Sequence, residues 1–326
     1  MGLIFRILAV RFKKGRRVSV RKLGLKLISL LVLLPGSLLL AQEVSQYQYW
    51  LELEAADQTF VRRSAEIGRT RAFLEFLGEG SIIFRNGPID AQELYSSEEF
   101  PVTANELSWK SHYIDVSRAG DLGLSAGPLA VFDRDGNSVR DTFGHLISIW
   151  RKNGSSWELM ADLAVPIPGF LSLDVEPNFD DTLPVLEETA HPVMAMAESN
   201  TLQSLIEADN LFGRAINFRG GQRALLRYGL ENTRVYLPDM APAVGAESAS
   251  LVYGAYLDDK LSTTNPISLS YVGGFLSESK EMGYTYGTMA TNSSAGEAGF
   301  RTNYLRLWRF TASNEWKIAV EVLRPF

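Results

Sequence analysis

The segment Asp121–Gly127 reads DLGLSAG, and 160 positions further on the segment Glu281–Gly287 reads EMGYTYG. A second stretch behaves in the same way: Leu146–Arg151 reads LISIWR, and Tyr304–Arg309 reads YLRLWR after a shift of 158 positions. The matches keep their order, and their shifts are nearly equal. A period of this size is that of a whole domain, so the sequence predicts two copies of one domain in tandem.

Two further matches lie on either side of these stretches. Ala56–Phe60 returns as Ala208–Phe212 after 152 positions, and Trp157–Leu159 returns as Trp316–Ile318 after 159 positions. The first pair falls in segments whose apolar residues are spaced by three and four, which is typical of an amphipathic helix. The second pair follows a turn and continues a strand pattern. Each repeat therefore begins with helices and ends with strands.

Hydrophobic periodicity and turn residues predict the same elements in both copies. In the first copy they are helices over Tyr47–Arg63 and Ile67–Leu77, a strand over Ser81–Arg85, a short helix over Ile89–Phe100, and strands over Leu107–Ser117, Leu122–Asp133, Val139–Lys152 and Ser156–Val165. In the second copy they are helices over Ser199–Ala215 and Arg219–Gly229, then strands over Thr233–Leu237, Ile267–Ser277, Gly283–Thr291, Phe300–Phe310 and Glu315–Val322. The segment Asp239–Ser250 is predicted as a long loop.

Helices followed by long strands predict an α+β fold. We expect two tandem cone-shaped domains, each a curved antiparallel sheet with helices packed on one face. The predicted boundaries place the first domain at residues 42–168, an acidic, proline-containing linker at 169–197, and the second domain at 198–326. The glycines of Asp121–Gly127 and of its copy are expected to allow sharp bending or close approach of the backbone in these strands.

The first 41 residues have the pattern of a secretory signal peptide. They carry nine basic residues and no acidic residue, and an apolar run of about 14 residues, Leu27–Leu40, precedes Ala41. The run is short for a membrane-spanning helix, which needs about 20 residues. We therefore expect cleavage after about Ala41 and a periplasmic or secreted bacterial protein. The alternative is an N-terminal anchor that is not cleaved.

The charge balance argues against several classes of partner. The chain has 32 basic and 38 acidic residues; without the nine basic residues of the predicted signal peptide, 23 remain, which leaves a formal charge of −15. Such a surface does not favour nucleic acid or an anionic membrane, both of which bind basic proteins. The chain has no cysteine, which excludes disulfides, thiolate metal ligands and a cysteine nucleophile.

The three histidines are scattered at His112, His145 and His191, and their spacing is not that of a metal site. The glycine pairs at 220–221 and 273–274 are not in the context of a phosphate-binding loop. We therefore expect neither a metal nor a cofactor.

The order of elements and several motifs resemble the nuclear transport factor 2-like superfamily, which includes the ketosteroid isomerases and the SnoaL-like polyketide cyclases. The motifs are Leu107–Trp109, Ala119–Pro128, Phe143–His145 and Ile149–Arg151, and they look like an exported bacterial branch of that superfamily. The resemblance covers nearly all of both repeats. It implies cone-shaped domains that pair through their sheets, so we expect the two repeats to form an internal pseudo-dimer.

In the isomerase branch a carboxylate base and an oxyanion site lie inside the cone, which directs attention to acids near strand centres. The resemblance makes Asp162 and Asp115 candidate catalytic carboxylates, with His145 and Tyr113 as candidate proton donors or shuttles. Asp162 has an acidic counterpart in the second copy, Glu321. The alternative interpretation is a buried acid that holds a helix or a backbone amide in place.

A second group of acidic and aromatic residues is a candidate lining for a ligand pocket. These residues are Asp57, Trp109, Asp209, Tyr284, Tyr286, Tyr304 and Glu321. Asp57 and Asp209 interrupt the apolar side of a helix, where they can act as bases or anchor a neighbouring backbone. The tyrosines suit a small, mostly apolar ligand with one or two polar groups, and ordinary strand propensity explains them equally well.

Three functional hypotheses follow from these patterns. The leading one is an exported protein that binds a small hydrophobic ligand in one or both cones. The first alternative is an isomerase, cyclase or dehydratase that uses an Asp/His acid–base pair, Asp162 and His145, in the first domain. The second alternative is a scaffold without catalysis, whose acidic surface binds another protein.

Overall fold

The computed structural model describes residues 45–96, 106–132, 142–181, 197, 199–260, 266–291 and 299–326. The predicted signal peptide at residues 1–41 lies outside the described residues, as does nearly all of the predicted linker beyond residue 181. The predicted element ends at Phe100, Asp133 and Val139 also lie outside them. Within the described ranges, no helix is both long enough and apolar enough to span a membrane.

The first domain begins with a helix that has one buried side. Its buried residues, spaced by three and four, are Trp50, Leu53, Asp57, Phe60 and Ser64. Ser45 caps its start by accepting a hydrogen bond of 3.2 Å from the Gln48 backbone N–H. The elements are α1 Gln46–Ile67, α2 Arg69–Phe76, β1 Leu77–Arg85, β2 Gly87–Asp90, α3 Ala91–Ser96, β3 Glu106–Trp109, β4 Tyr113–Val116, β5 Leu122–Phe132, β6 Thr142–Asn153 and β7 Ser156–Ile167.

The second domain repeats this course. Thr201 and Ser204 form a reciprocal capping box at the start of its first helix, with hydrogen bonds of 3.2 and 3.3 Å. The elements are α4 Leu202–Arg219, α5 Gly221–Tyr228, β8 Gly229–Tyr236, β9 Ala243–Val244, α6 Ala246–Lys260, β10 Ile267–Leu276, β11 Met282–Thr291, β12 Arg301–Phe310 and β13 Trp316–Pro325.

Each domain has one sheet with helices packed on one face. The strand orders are β2-β1-β7-β6-β5-β3, with β4 also paired to β5, and β10-β11-β12-β13-β8-β9. Neighbouring strands are antiparallel except β1 with β7 and β8 with β13, which are parallel. The two parallel pairs were not predicted, because their strands lie far apart in sequence and no hairpin turn joins them. The predicted α+β class with two cone-shaped domains is confirmed.

Two local features differ from the sequence prediction. Part of the predicted loop Asp239–Ser250 belongs to α6, whose buried side includes the small residues Ala249, Ser250 and Gly254. These residues carry little hydrophobic signal, so the periodicity did not reveal the helix. The predicted strand Leu107–Ser117 is divided into β3 and β4.

The repeated glycines explain the division of that strand. A Cβ atom on Gly127 would collide with the backbone carbonyl of Lys110, and one on Gly287 would collide with the carbonyl of Ser270. Lys110 lies between β3 and β4, and Ser270 lies just before a register shift in β10. Glycine therefore lets the edge strand approach β5 or β11 closely where it bends, as the sequence predicted.

The sheet faces that point away from the helices are buried against each other. Their apolar side chains form one core that includes Leu122, Leu124, Ile147, Ile149 and Leu163 of the first domain and Met282, Tyr284, Leu305, Leu307 and Val320 of the second. The helix-facing sides have separate cores, one in each domain. Every sheet is therefore buried on both faces over its central strands.

Reciprocal hydrogen bonds accompany this shared core. The backbone N–H of Arg118 donates to Glu281 Oε1 at 2.9 Å, and the backbone N–H of Glu278 donates to Asp121 Oδ2 at 2.8 Å. Glu281 and Asp121 are equivalent positions of the repeat, as are Glu278 and Arg118. The same contact thus occurs twice with the domains exchanged, which is the pattern of a twofold interface.

A buried ion-pair cluster also joins the domains. Arg309 of β12 donates to the Asp115 carboxylate of β4 through Nε, at 3.2 Å, and through Nη2. Its Nη1 donates to Glu281 Oε1 at 3.1 Å, and Nη2 also donates to the Val116 carbonyl at 2.8 Å. The three charged side chains are almost completely buried. Such a cluster is stable only while each charge keeps its partners.

Replacing Arg309 with methionine leaves Asp115 and Glu281 buried without their cation. We expect the Arg309→Met variant to lose about 3–5 kcal/mol in free energy of unfolding, measured by urea denaturation. Arg151→Met is the matched control, because Arg151 is the repeat equivalent but contacts the Phe275 ring and a backbone carbonyl. The control should lose about 1 kcal/mol. Equal losses in the two variants would contradict the role assigned to Arg309.

Candidate functional site

The interior of each cone, between the helices and the sheet, contains a carboxylate from the first helix. Asp57 of α1 and Asp209 of α4 are both fully buried there. Each continues the buried stripe of its helix, so helical periodicity alone directs the carboxyl group toward the sheet. Because an unpaired buried carboxylate is unstable, each domain has to supply hydrogen-bond donors or a cation to it.

In the first domain the donors to Asp57 are neutral. Ser111 Oγ donates to Oδ2 at 2.8 Å, and Ser125 Oγ donates to Oδ1 at 3.0 Å. The Trp109 indole N–H lies 3.4 Å from Oδ1. Burial raises the pKa of Asp57, while the three hydrogen bonds oppose this shift.

A second buried carboxylate lies in the same cone. Asp162 of β7 is the register partner of Ser148 on β6, and Ser148 Oγ donates to Asp162 Oδ1 at 3.0 Å. Burial raises the pKa of Asp162 to about 6; the Asp57 charge adds to the rise, and the charge of Arg69 opposes it. Among the residues that the structure describes, no ion pair reaches either Asp57 or Asp162.

A cavity of about 310 Å³ opens above Asp57. It lies between α1, the β3–β4 bend and the segment that follows β7, and its lining is Glu54, Asp57, Gln58, Val61, Arg62, Trp109, Lys110, Ser111, Leu173 and Pro177. The predicted ligand-binding residues Asp57 and Trp109 are thus brought together. Ser111, Lys110 and Glu54 were missed, since single polar residues near a strand end or on a helix carry no distinctive pattern.

The segment that follows β7 forms one wall of this cavity. Leu173 and Pro177 line it, and Glu176 pairs with Lys110. Phe179 packs edge-on against Trp50, with ring centroids 6.1 Å apart. The first part of the predicted linker therefore covers the side of the first domain.

In the second domain an arginine occupies the cone interior. Arg306 Nη1 donates to Asp209 Oδ1 at 2.8 Å, and Arg306 Nε donates to Glu321 Oε2 at 2.6 Å. Tyr304 OH donates to Asp209 Oδ2 at 2.8 Å, and Tyr253 OH donates to Glu321 Oε1 at 3.1 Å. Arg306 is completely buried, and its charge offsets those of both carboxylates.

The two cones differ most at a single repeat position. Arg306 is the register partner of Glu321, just as Ser148 is the register partner of Asp162. The arginine that fills the second cone is thus replaced by a serine in the first. The sequence contains a signal for this difference between the cones, because an arginine between two leucines is unusual in a strand pattern.

Close packing of helix and edge strand also closes the second cone. Gly213 stands where the first domain has Val61, and a Cβ atom there would lie 3.1 Å from Leu269 Cδ2. Leu269 of β10 in turn stands where the first domain has Trp109. Absence of a side chain at Gly213 lets α4 approach β10 at the positions that correspond to the Val61 and Trp109 walls of the first cavity.

The structure does not bring the predicted acid–base pair together. Asp162 faces the cone interior with Ser148, whereas His145 lies on the opposite face of the sheet, against the second domain. Its ring packs against Tyr236, and its Nε2 lies 3.3 Å from the Met240 carbonyl oxygen. Burial lowers the pKa of His145 to about 4. The predicted pairing of Asp162 with His145 is therefore wrong.

Four other predicted site residues also lie between the domains. Asp115 is bound to Arg309, and Tyr113 OH donates to Asp115 Oδ2 at 3.3 Å. Tyr284 is part of the shared core, and Tyr286 packs against it. Strand alternation places these four side chains on the sheet faces that point away from the cones. They therefore do not line the interior of a cone, as the catalytic or ligand-pocket role assigned to them requires. Strand periodicity shows which residues share a face, but not which face meets the helices.

Asp209, Tyr304 and Glu321 do lie inside a cone, but their hydrogen-bonding groups are joined to one another through Arg306. They form a closed polar network rather than a pocket lining. In the described parts of the chain, no cluster of three or more potential ligands is arranged to hold a metal ion.

Titration of Asp162 gives a test of the first cone. Its folded-state pKa of about 6 exceeds an unfolded value near 3.9, so its protonation stabilises the folded protein. That contribution is complete below about pH 4 and is lost as the pH rises through about 6. Titration of Asp162 should therefore lower the free energy of unfolding of the wild type by about 3 kcal/mol between about pH 4 and pH 7.5. Asp162→Asn should lack this contribution, and urea denaturation at the two pH values measures the difference. Parallel stability curves for the two proteins would rule this assignment out.

The closed network of the second cone predicts a large effect of removing its cation. Arg306→Met leaves Asp209 and Glu321 buried without a positive charge, and we expect a loss of about 3–5 kcal/mol in the free energy of unfolding. Ser148→Ala changes the equivalent position of the first domain and removes one hydrogen bond, for which we expect about 1 kcal/mol. Urea denaturation measures both losses. A loss in Arg306→Met as small as that in Ser148→Ala would show that Arg306 does not stabilise the cone.

No family model matches the chain, and no curated protein matches it in sequence. A solved structure of a ketosteroid isomerase-like protein from Erwinia carotovora atroseptica is similar at 16% identity, covering 39% of this chain and 98% of that chain with a TM-score of 0.33. ActVI-ORFA from Streptomyces coelicolor is similar at 11% identity, over 38% of this chain and 95% of its own, with a TM-score of 0.31.

A nuclear transport factor 2-like protein from Pseudomonas putida is similar at 12% identity, over 40% of this chain and 86% of its own, with a TM-score of 0.30. The solved structures that this chain resembles thus include ketosteroid isomerase-like and nuclear transport factor 2-like proteins, and these two are matched over 39% and 40% of this chain.

Proposed function

We propose that this protein binds a small, mostly apolar ligand in the cone of the first domain, and that the second domain is a closed, stabilising partner. The observation that carries the proposal is the contrast between the two cones. The first has a cavity of about 310 Å³ above Asp57, and the second has the buried Arg306 network in its interior. A cavity of this size lies at the lower end of the range for small-molecule sites.

The cavity has the composition of a binding site. Trp109, Val61, Leu173 and Pro177 provide apolar walls, and Asp57 provides a buried polar group. A few polar groups among apolar walls orient a ligand and give specificity. The hydrogen bonds from Ser111 and Ser125 hold the carboxyl group in one orientation, so a ligand meets a site that is already formed.

The position of the catalytic candidates favours binding over acid–base catalysis. Asp162, His145, Asp115 and Tyr113 do not line this cavity in the described part of the chain. A general acid or base has to reach the reacting group directly or through one water molecule. Asp57 is the buried carboxyl group on the cavity lining, and among the described residues of that lining there is no histidine beside it.

We also infer that the two domains act as an internal pseudo-dimer. The reciprocal contacts of Arg118 with Glu281 and of Glu278 with Asp121 support this, as does the core shared by the two sheets. Export to the periplasm or beyond remains part of the proposal. It is supported by the basic and apolar pattern of residues 1–41 and by the acidic balance of the rest of the chain.

Native mass spectrometry of the full chain, expressed in and purified from a bacterium, tests the proposed binding. We expect a bound molecule of low mass on the wild type, released on activation in the gas phase. Val61→Trp fills the cavity and should abolish the adduct. Leu251→Trp is the control, because Leu251 is 58% exposed on the second domain and lines no part of the cavity.

Ligand-observed NMR with a library of small molecules extends the test to weak ligands. Hits that the wild type and Leu251→Trp bind, and that Val61→Trp does not, would support the site. A protein that carries no adduct and has no such hit would contradict the proposal.

A further inference from the structure

We propose that the group recognised by Asp57 is a cation, so that the ligand is an ammonium, amidinium or guanidinium compound with a small apolar body. This inference rests on the binding site proposed above and specifies the chemistry of its ligand.

In the second domain, the carboxylate at the position equivalent to Asp57 has a cation as its partner. Asp209, the equivalent of Asp57, is bound by the Arg306 guanidinium at 2.8 Å and by the Tyr304 hydroxyl at 2.8 Å. The guanidinium is completely buried. The second domain therefore contains, as part of its own chain, a cation bound to this carboxylate.

The first domain has the carboxylates but not this cation. Ser148 stands at the position of Arg306, and its hydroxyl donates to Asp162 Oδ1 at 3.0 Å. Replacement of a long cationic side chain by a short neutral one removes both a charge and volume from the cone. Asp57 keeps neutral donors alone, and burial raises its pKa. A ligand cation in the cavity beside Asp57 would give this carboxylate the kind of partner that Arg306 gives to Asp209 in the second domain.

The walls of the cavity add to this preference. Glu54 lies one helical turn before Asp57, whereas Ile206 stands at its place in the second domain, so the open cone has one more acidic group. Burial, Glu176 and Asp57 raise the pKa of Glu54, and the Lys110 charge opposes them. A bound cation would interact favourably with both Glu54 and Asp57.

The cations that line the cavity have partners of their own. Lys110 pairs with Glu176, and Arg62 donates to Thr59 Oγ1 at 2.8 Å on the exposed side of α1. An anionic ligand would therefore have to compete with Glu176 for Lys110 and would meet the Asp57 carboxylate behind it. The Trp109 indole lines the cavity beside Asp57, and an aromatic ring is a favourable neighbour for a cation.

Three probes of nearly equal shape and different charge test the proposal: benzamidine, benzamide and benzoate. Isothermal titration of the full chain near pH 7.5 should give a dissociation constant for benzamidine at least about tenfold lower than for benzamide, and no binding of benzoate. Asp57→Asn should remove the preference for benzamidine. Ser148→Arg introduces the cation of the second domain and should abolish benzamidine binding. Glu207→Gln, an exposed acid on the second domain, is the control and should bind as the wild type does.

Proton linkage provides a second readout that does not depend on the folding of a variant. Benzamidine should bind more weakly as the pH falls from about 7.5 into the range in which the carboxyl groups of the first cone are protonated, because protonation of Asp57 and Asp162 removes the charges that attract it, and benzamide should show no such change. If benzamide binds as well as benzamidine, the ligand is not a cation, while the binding site itself stands. If none of the three binds at millimolar concentration, or if binding survives in Ser148→Arg, the proposal is wrong.

Discussion

A chain of three side chains ties the first helix of each domain to its sheet, and the repeated sequence motifs encode it. In the first domain the Trp150 indole donates to Ser125 Oγ at 2.9 Å, and Ser125 donates to Asp57 at 3.0 Å. In the second domain Trp308 donates to Thr285 at 2.9 Å, and Thr285 donates to Asp209 at 3.0 Å. The aspartate is buried because its helix has to pack, and the hydroxyl and indole partly compensate for that burial.

The neighbouring glycines serve the same arrangement. Gly123 and Gly283 lie where a leucine of the first helix, Leu53 or Leu205, packs against the strand that carries the hydroxyl. A side chain at either glycine would collide with that leucine and push the helix away from the sheet. The repeat therefore preserves a contact between two elements, which explains why both copies keep a glycine at this strand position beside the larger shared residues such as Trp150 and Trp308.

Sequence patterns were sufficient to predict the fold class. The spacing of Trp50, Leu53, Asp57 and Phe60 predicts a helix, and the long alternating segments that follow predict strands. The patterns also included Asp57 and Trp109 among seven candidate pocket residues, and the structure places these two on the lining of one cavity. The patterns were insufficient for the sheet faces: Tyr284 and Thr285 are adjacent, yet one lies between the domains and the other lies in the cone. Alternation groups residues by face, but only the packing of helices and of the second domain determines which face is which. The sequence alone did not show that Arg306 is buried in the cone. This became clear from the strand register, which places Arg306 beside Glu321.

The shared core also explains why two domains with unlike interiors can be stable together. The central strands of each sheet are apolar on the face away from the helices, so a single domain would expose that face to water. The two domains therefore fold as one unit, and the closed cone of the second domain contributes to the stability of both. Buried carboxylates that form no ion pair among the described residues of the first cone are tolerated because the second domain and the shared core stabilise the same folding unit.

Because the two domains are parts of one chain, equivalent positions can carry different residues, which is impossible in a dimer of identical chains. In a homodimer, a substitution that closes one cone closes the other, so an arginine at this strand position would stabilise the assembly only by filling both cones. With two copies on one chain, Arg306 and Ser148 occupy symmetry-equivalent places and differ. Duplication thus allows one strand position to carry a buried cation in one half of the chain and a small hydroxyl in the other, which exact symmetry forbids.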